Sequence, residues 1–442
     1  MRIQLSDHFN YRRLLRFTLA PITMMIFSSI YGVVDGFFVS NFVGKDAFTA
    51  VNLIMPFLMI TATVGFMFGT GGSAIVAKTM GEGDNERARR YFSLFVYVSA
   101  VLGVLLSALG FIYMPQVAQL LGAKGIILEH CVAYGRIMMI SLPFYILQME
   151  FQSFFVTAEK PQLGLCIIVI SGVTNMLLDY IFIVLLEWGL EGAAFATAIS
   201  EFIGGTVPVC YFLAKNNSLL RLGRTHFYGR AIVKACTNGS SEFMSNVSMS
   251  LVAMLYNVQL LHYAGEDGVA AYGVLMYVSL IFAGAFIGYS IGSAPVISYH
   301  YGAQNYDELK NLLRRSLRIV TCFSLGMFAL SQLLTVPLSL LFVGYDADLY
   351  NMTCHGFRIF GFGFLFMGFA IFGSGFFTAL NNGLTSALIS FLRTMVFQMA
   401  SVLLLPLLWD LDGIWLSIVA AEFMAMLLSA GFMLAKRKKY HY

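Results

Sequence analysis

Long apolar runs, separated by short polar or charged segments, dominate the chain. The runs exceed about 18 residues and do not alternate apolar with polar positions, which favours membrane-spanning helices over the strands of a barrel. The breaks between runs predict twelve spanning helices, six in each half of the chain. We expect these helices at residues 14–40, 47–78, 91–114, 132–157, 163–186, 190–213, 231–262, 269–300, 313–343, 353–379, 384–408 and 412–435.

Composition and charge agree with a membrane setting and predict an orientation. The 442 residues are 59% hydrophobic and 11% charged, with mean hydropathy +0.78, whereas soluble domains are about 25% charged. Alternate connections place 22 basic residues on one side of the bundle and two, Lys45 and Lys124, on the other. The positive-inside rule therefore predicts an inner (plasma) membrane protein with both termini in the cytoplasm. The net charge of +4 then reflects topology, and we expect no nucleic-acid partner.

The second half of the chain repeats the first at an offset of 221 residues. The segment "WGLEGAAFATAISEF" at 188–202 returns as "WDLDGIWLSIVAAEF" at 409–423, which pairs Glu201 with Glu422. Two copies of six helices share one orientation, as parallel repeats do in some transporters. We expect an all-α membrane protein of two six-helix lobes, with a path in the cleft between them. The expected domains are a lobe at 1–213, a cytoplasmic linker at 214–230 and a lobe at 231–442.

Residues that would identify an enzyme are not grouped along the chain. The six cysteines lack metal-ligand spacing, and the seven histidines form no HExxH or similar cluster. A Walker A sequence is also missing, so ATP does not drive this chain directly. We therefore expect no enzymatic activity and no cofactor.

Polar residues inside the predicted first lobe are the main candidates for chemistry. Counting along the spans places Asp35, Asn175, Asp179 and Thr197 at similar depth. A carboxylate at mid-membrane costs about 2.5–3.5 kcal/mol on insertion scales and usually faces a polar cavity. The alternative is that a neighbouring hydroxyl or amide keeps such an acid protonated for packing alone.

The repeat argues against a purely structural role for these acids. At the 221-residue offset, Asp35 maps onto Tyr256 and Asp179 onto Ala400, so the second lobe lacks both carboxylates. A structural requirement would be expected to recur in both copies.

Several segments resemble the multidrug and toxic compound extrusion (MATE) family. "IYGVVDGFFVSNFVGKDAFTAVNLIMPF" at 30–57 is similar to its first hairpin, and "GSAIVAKTMGEGDNERARR" to the exit of its second helix. "LGLCIIVISGVTNMLLDYIFI" followed by "GLEGAAFATAISE" is similar to its fifth and sixth helices. The resemblance covers essentially the whole chain and leans toward the bacterial branch with MepA-like and DinF-like members. It implies a secondary transporter that exports lipophilic, mostly cationic compounds in exchange for H⁺ or Na⁺.

The resemblance also implies a cation-coupling site at Asp35, Asn175, Asp179 and Thr197. The two aspartates could share a proton, or hold a Na⁺ with Asn175 and Thr197 as neutral oxygen ligands. Pro21 is expected to break the first helix so that ion binding favours one arrangement of it. The expected partners are small lipophilic cations and membrane lipids, and the expected state is a monomer.

Four further residues are candidates for substrate binding or gating: Glu150, Glu201, Glu242 and Tyr256. Glu201 recurs in the second half as Glu422, which suits a structural role as well as a functional one. Arg393 is expected to extend to the cytoplasmic edge of the membrane rather than to pair with an acid.

Other functions remain open from the sequence. A flippase or exporter of lipid-linked precursors would share the many helices and the cavity, but it should show basic residues facing that cavity for pyrophosphate. A passive channel is also compatible with the helices, although the unequal lobes favour coupled transport.

Overall fold

The structure, a computed structural model, describes residues 3–442, so Arg2, one of the basic residues counted above, lies outside it. The described residues form helices and no strand. Eleven of these helices are long and apolar enough to cross a membrane. In chain order the spans are α1 (Tyr11–Val43), α2 (Lys45–Gly81), α3 (Asn85–Leu120), α4 (Gly125–Thr157), α5 (Pro161–Leu185), α6 (Gly189–Leu213), α7 (229–264), α8 (266–302), α9 (Tyr306–Val343), α10 (Ala347–Ala379), α11 (Gly383–Leu404) and α12 (Pro406–Tyr440). Near its start α12 is kinked at Trp409 and Asp410, whose backbone angles are not helical.

Helices α7 and α8 follow one another without an intervening loop, in the continuous segment Gly229–Gly302. The chain changes direction at Gly265, whose φ of 65° and ψ of −154° lie outside the helical region. Residues with a side chain rarely adopt this backbone conformation, and glycine does so readily. The eleven long helices thus contain twelve spans, and the predicted all-α fold is confirmed.

Several helices extend beyond the predicted apolar spans. Helix α3 begins at Asn85 rather than near residue 91, because the Asp84 side chain accepts a 3.0 Å hydrogen bond from the Arg87 backbone N–H and caps the helix. Helix α4 likewise begins at Gly125 rather than near residue 132. Hydropathy marks the part of a helix inside the membrane, whereas the helix itself can continue into the polar segment beyond it.

Four of the spans contain a turn of π-helix, a feature often found at functional sites. These turns are Val39–Val43 at the end of α1, Phe68–Gly72 in α2, Tyr180–Leu185 directly after Asp179 in α5, and Leu392–Phe397 in α11. The expected break at Pro21 is not observed, since α1 is helical on both sides of this residue. The irregular part of α1 lies at its opposite end.

The two halves of the chain meet where α1 packs on α8. Gly284, Gly288 and Gly292 lie four residues apart on α8 and form a stripe against α1. A Cβ atom on Gly288 would contact the backbone of Ile22, and one on Gly292 would contact Thr18. The absence of side chains at these glycines allows the two backbones to approach closely.

A second contact between the halves lies at the end of the bundle that carries the basic loops around residues 84–90, 214–230 and 436–439, called the basic end below. Helix α2 crosses α7 there, and a Cβ atom on Gly239 would overlap the backbone of Met67. At the end of α2, several turns beyond the crossing, a Cβ atom on Gly81 would overlap the Tyr299 carbonyl of α8. The halves are therefore closed against each other at the basic end.

The segment before α1 connects loops of both halves at the same end. The backbone N–H of Leu5 donates a 2.9 Å hydrogen bond to Glu159, which follows α4. The backbone N–H of Phe9 donates a 2.9 Å hydrogen bond to Glu308, in the first turn of α9. The side chains of Leu5 and Phe9 are fully buried, so this segment adds to the closure.

The predicted linker is irregular from residue 214 until α7 begins at Gly229. It lies along the start of α3, where the Tyr97 hydroxyl donates a 3.0 Å hydrogen bond to the Gly223 carbonyl. The Thr225 hydroxyl donates a 2.7 Å hydrogen bond to the Arg90 carbonyl. These bonds hold the connection against the first half of the chain.

Candidate functional site

A cavity of about 280 Å³ lies among the helices of the first half. Residues of α1, α2, α4, α5 and α6 line it, and of the described lining residues Leu280 alone comes from the second half. The sequence led us to expect the path in the cleft between the lobes. The close packing of α1 on α8 brings the halves together there, and the described cavity lies instead within the first half.

The four residues predicted to form the cation site lie together at this cavity. Asp35 of α1, Asn175 of α5 and Thr197 of α6 line it. The Asn175 amide Nδ2 donates a 3.2 Å hydrogen bond to the Thr197 hydroxyl. Asp179, one helical turn after Asn175, is fully buried beside Asp35.

Four oxygen atoms of this group lack a hydrogen-bond donor among the described residues. Oδ1 of Asp35, Oδ1 of Asn175 and both carboxyl oxygens of Asp179 are buried with no hydrogen-bond partner among the described residues. The two carboxyl groups are close enough for the charge on one to act on the other. Two neighbouring carboxylates with little access to water favour sharing a proton or a bound cation. Carboxylate, amide and hydroxyl oxygens are also suitable ligands for a hard cation such as Na⁺.

Glu201 of α6 lies on the wall of the same cavity and is buried. The Ser141 hydroxyl of α4 donates a 2.5 Å hydrogen bond to its Oε2. Tyr31 and Tyr145, which also line the cavity, are near enough to interact with its carboxyl group. No Lys or Arg is found among the described residues that line the cavity.

The matching glutamate of the second half has a different partner. Glu422 of α12 is fully buried and accepts hydrogen bonds from Nε and Nη2 of Arg393, at 2.8–3.1 Å. The expectation that Arg393 extends to the membrane edge is therefore wrong, because its guanidinium forms a two-pronged ion pair inside its own half. Its side chain is 16% exposed. At the 221-residue offset Arg393 matches Gly172, so the first half lacks this cation.

Tyr256, the repeat counterpart of Asp35, is buried in the second half and does not line the cavity. Its hydroxyl forms a 2.5 Å hydrogen bond with that of Ser417, and its ring stacks on Tyr272 with centroids 5.0 Å apart. A neutral hydrogen bond thus lies where the first half has its acidic group.

The other two candidates lie away from the cavity. Glu150 of α4 is fully buried and accepts a hydrogen bond from the Ser99 hydroxyl of α3. Its neighbours Met149 and Gln152 line the cavity, whereas Glu150 does not. Glu242 of α7 follows Gly239 by three residues and therefore lies near the crossing of α2 and α7.

The sequence did not single out the aromatic and hydroxyl residues of the cavity wall. Tyr134, Tyr145 and Gln152 lie on one face of α4, together with the Ser141 that bonds Glu201. With Ser141 included, the successive spacings are seven, four and seven residues, and these spacings keep all four side chains on one face of the helix. The stripe of polar and aromatic residues was a signal that could have revealed the wall.

The chain matches known proteins over most of its length. The family profile described as MatE matches residues 21–181 and 243–404, one stretch in each half. The multidrug export protein MepA of Staphylococcus saprophyticus is 24% identical over 412 residues, which cover 92% of this chain and 88% of that protein. MepA of Staphylococcus haemolyticus is 26% identical over 305 residues, covering 69% and 67%.

Solved structures have the same fold. A structure described as the outward-facing conformation of a multidrug resistance MATE family transporter superposes with a TM-score of 0.93 at 21% identity, covering 98% of this chain and 97% of that one. A structure of MATE in complex with MaL6 gives a TM-score of 0.93 at 20% identity, covering 98% of both chains. Since the family profile matches well over half of the residues, in both halves, the chain belongs to the MatE family, as its resemblance to MATE transporters predicted.

Proposed function

We propose that the chain exports lipophilic, mostly cationic small molecules across a membrane in exchange for H⁺ or Na⁺. The observation that carries this proposal is the combination of three acidic residues, Asp35, Asp179 and Glu201, at or beside one cavity without a basic residue in its described lining. The relatives named as multidrug export proteins support the export of drug-like substrates. The proposal involves neither an enzymatic reaction nor a cofactor.

In this proposal Asp35 and Asp179 hold the coupling ion, and Asn175 and Thr197 supply neutral oxygen atoms. The bound ion neutralises the acidic group, which reduces the attraction of the cavity for a cationic substrate. Ion release restores the negative charge, so ion and substrate occupy the cavity alternately. One charge crossing 100 mV supplies about 2.3 kcal/mol, or roughly fiftyfold in concentration.

The two halves would expose the cavity to each side of the membrane in turn. We assign the basic end, where α2 crosses α7, to the cytoplasm of the cell because of its charge. In the arrangement described above that end is closed, so the cavity would receive the ion from outside. Separation of α2 from α7 would then open it to cytoplasmic substrate. We propose that one copy of the chain, in the plasma membrane, performs the whole cycle.

Methionines support a broad substrate range. Met55, Met59 and Met138 are among the lining residues, and their flexible side chains can adapt to different shapes. The export of lipid-linked precursors, the alternative function, would require cationic side chains for pyrophosphate. The described lining has none, which favours cationic substrates.

Efflux from everted membrane vesicles tests the proposal. We expect the loading of vesicles with a cationic dye to stop either on addition of a protonophore or on removal of Na⁺. The treatment that stops it identifies the coupling ion. Asp35→Asn and Asp179→Asn should keep the fold and lose ion-driven efflux, whereas Glu191→Gln, which changes an exposed acid at the start of α6, should not affect it. Normal efflux by both aspartate variants would overturn the coupling site, and the lack of any driven efflux in the unmodified chain would overturn the function.

A further inference from the structure

The internal repeat places one glutamate in two different settings. Glu201 of α6 and Glu422 of α12 occupy the same repeat position, and both are buried. The two halves thus offer an internal comparison of what a carboxylate at this position of the fold binds.

In the second half the carboxylate binds a guanidinium. Nε of Arg393 donates hydrogen bonds of 2.8 and 3.1 Å to the two oxygens of Glu422, and Nη2 donates one of 2.9 Å. A flat cation with several N–H groups on one edge matches both oxygens of a carboxylate, which makes such pairs both strong and geometrically selective.

In the first half the arginine is replaced by Gly172. The face of α5 at Gly172 is covered by rings of α1, because a Cβ atom there would lie 2.5 Å from the Phe27 ring and 2.8 Å from the Tyr31 ring. Glu201 receives a hydrogen bond from Ser141 and forms no ion pair with a Lys or Arg among the described residues. The position therefore keeps its carboxylate and lacks the cation.

The space beside Glu201 suits a flat cation. Its cavity of about 280 Å³ approaches the volumes of small-molecule sites, which begin near about 300 Å³. Tyr31, Tyr134 and Tyr145 line it together with Glu201. Aromatic faces stack on guanidinium and related planar cations, so the wall adds to the attraction of the carboxylate.

We propose that Glu201 binds the guanidinium or amidinium head of an exported molecule from the side of the cavity, as Glu422 binds the guanidinium of Arg393. The inference rests on the proposed export function and names a substrate class for it. Asp35 and Asp179 hold the coupling ion, while Glu201 selects substrates by their N–H donors. A quaternary ammonium of equal size carries the same charge but no donor, and it binds more weakly.

Equilibrium binding to the full chain in lipid nanodiscs, measured by calorimetry, tests this assignment. The probes are 4-butylbenzamidinium and 4-butylphenyltrimethylammonium, which differ in their head groups. We expect the amidinium to bind about tenfold more tightly, because it adds charge-assisted hydrogen bonds to Glu201. Glu201→Gln should abolish this preference, and Glu201→Asp, which keeps the charge on a shorter side chain, should reduce it. Glu191→Gln should keep it.

An unchanged preference in Glu201→Gln, or equal binding of the two probes by the unmodified chain, would overturn the assignment to Glu201. Thermal melting of each variant identifies any loss of folding. If Glu201→Gln does not fold, Glu201→Asp serves as the test, and an unchanged preference in it overturns the assignment. Binding does not require transport, so this result is separate from the vesicle experiment. If the chain shows ion-driven dye efflux but no preference for the amidinium, this inference alone is overturned. If the chain shows no ion-driven efflux, the proposed function is overturned.

Discussion

Asn175 and Thr197 connect α5 to α6 through a side-chain hydrogen bond of 3.2 Å beside the two buried carboxyl groups. The bond uses Nδ2 of the amide and leaves Oδ1 of Asn175 without a partner among the described residues. The amide is thereby oriented with its oxygen available to a cation, while its nitrogen is held. This orientation links the packing of two helices to the geometry of the proposed ion site.

Loss of the Thr197 hydroxyl should weaken ion binding. Thr197→Ala removes the acceptor that orients Asn175 and one neutral oxygen near Asp35. We expect the Na⁺ or H⁺ concentration for half-maximal efflux to rise about tenfold, the size expected for one hydrogen bond to a charged group. Thr174→Ala is the matched control, because the Thr174 hydroxyl bonds only the carbonyl of Ile170 on an exposed face of α5. An equal effect of both variants would contradict the role of Thr197.

Removal of Arg393 alone should destabilise the chain. Arg393→Met leaves Glu422 buried without its cation, and breaking a buried ion pair in this way costs about 3–5 kcal/mol. Replacing both residues, as in Arg393→Met with Glu422→Leu, leaves no unpaired charge and should restore most of the lost stability. The apparent Tm in detergent measures both changes. A double variant as unstable as the single one would indicate that the pair contributes more than charge balance.

A side chain at the crossing of α2 and α7 should open the basic end. Gly239→Val would overlap the backbone of Met67 and separate the two helices. In a chain that retains only Cys236, one turn earlier on α7, we expect faster reaction with a membrane-impermeant maleimide added at the basic end. Gly326→Val on α9 is the control, since a Cβ atom there meets nothing within 4 Å. Unchanged labelling of Cys236 would show that the crossing does not seal the bundle.

Labelling from one side of the membrane tests the proposed orientation. Lys124 and Lys215 are exposed on connections at opposite ends of the bundle. In intact cells producing a cysteine-free chain, an impermeant maleimide should react with Lys124→Cys, and with Lys215→Cys only after permeabilisation. The reverse pattern would place the basic end outside, against the charge rule.

The sequence predicted those features that depend on hydropathy and depth. Twelve apolar runs were enough for the twelve spans, and the glycine at 265 explains why two of them form one continuous segment. Counting residues from the membrane edge brought Asp35 and Asp179 to one depth, and the structure places them side by side. Both predictions use distances along a helix, which are fixed by its regular rise.

The sequence could not predict features that depend on the rotation of a helix about its own axis, because hydropathy and depth do not define that rotation. Glu150 and Gln152 are two residues apart on α4, yet one faces Ser99 and the other faces the cavity. Arg393 and Glu422 lie on different helices, and their pairing depends on which faces of α11 and α12 meet. Single-chain periodicity is weak in helices that are apolar on every side, so it does not determine these faces.

The glycine stripe of α8 has a consequence for motion. Because Gly284, Gly288 and Gly292 offer α1 a smooth surface, α1 can slide or turn on α8 without withdrawing side chains from matching holes. Interlocked side chains would have to unpack first, which raises the barrier between arrangements. Asp35 also lies on α1, so the ion that Asp35 binds can set the preferred position of this helix on α8. Reversing a two-state preference from 1:99 to 99:1 takes about 5.5 kcal/mol, so an ion that sets the position of α1 must bind one arrangement about 10⁴-fold more tightly than the other.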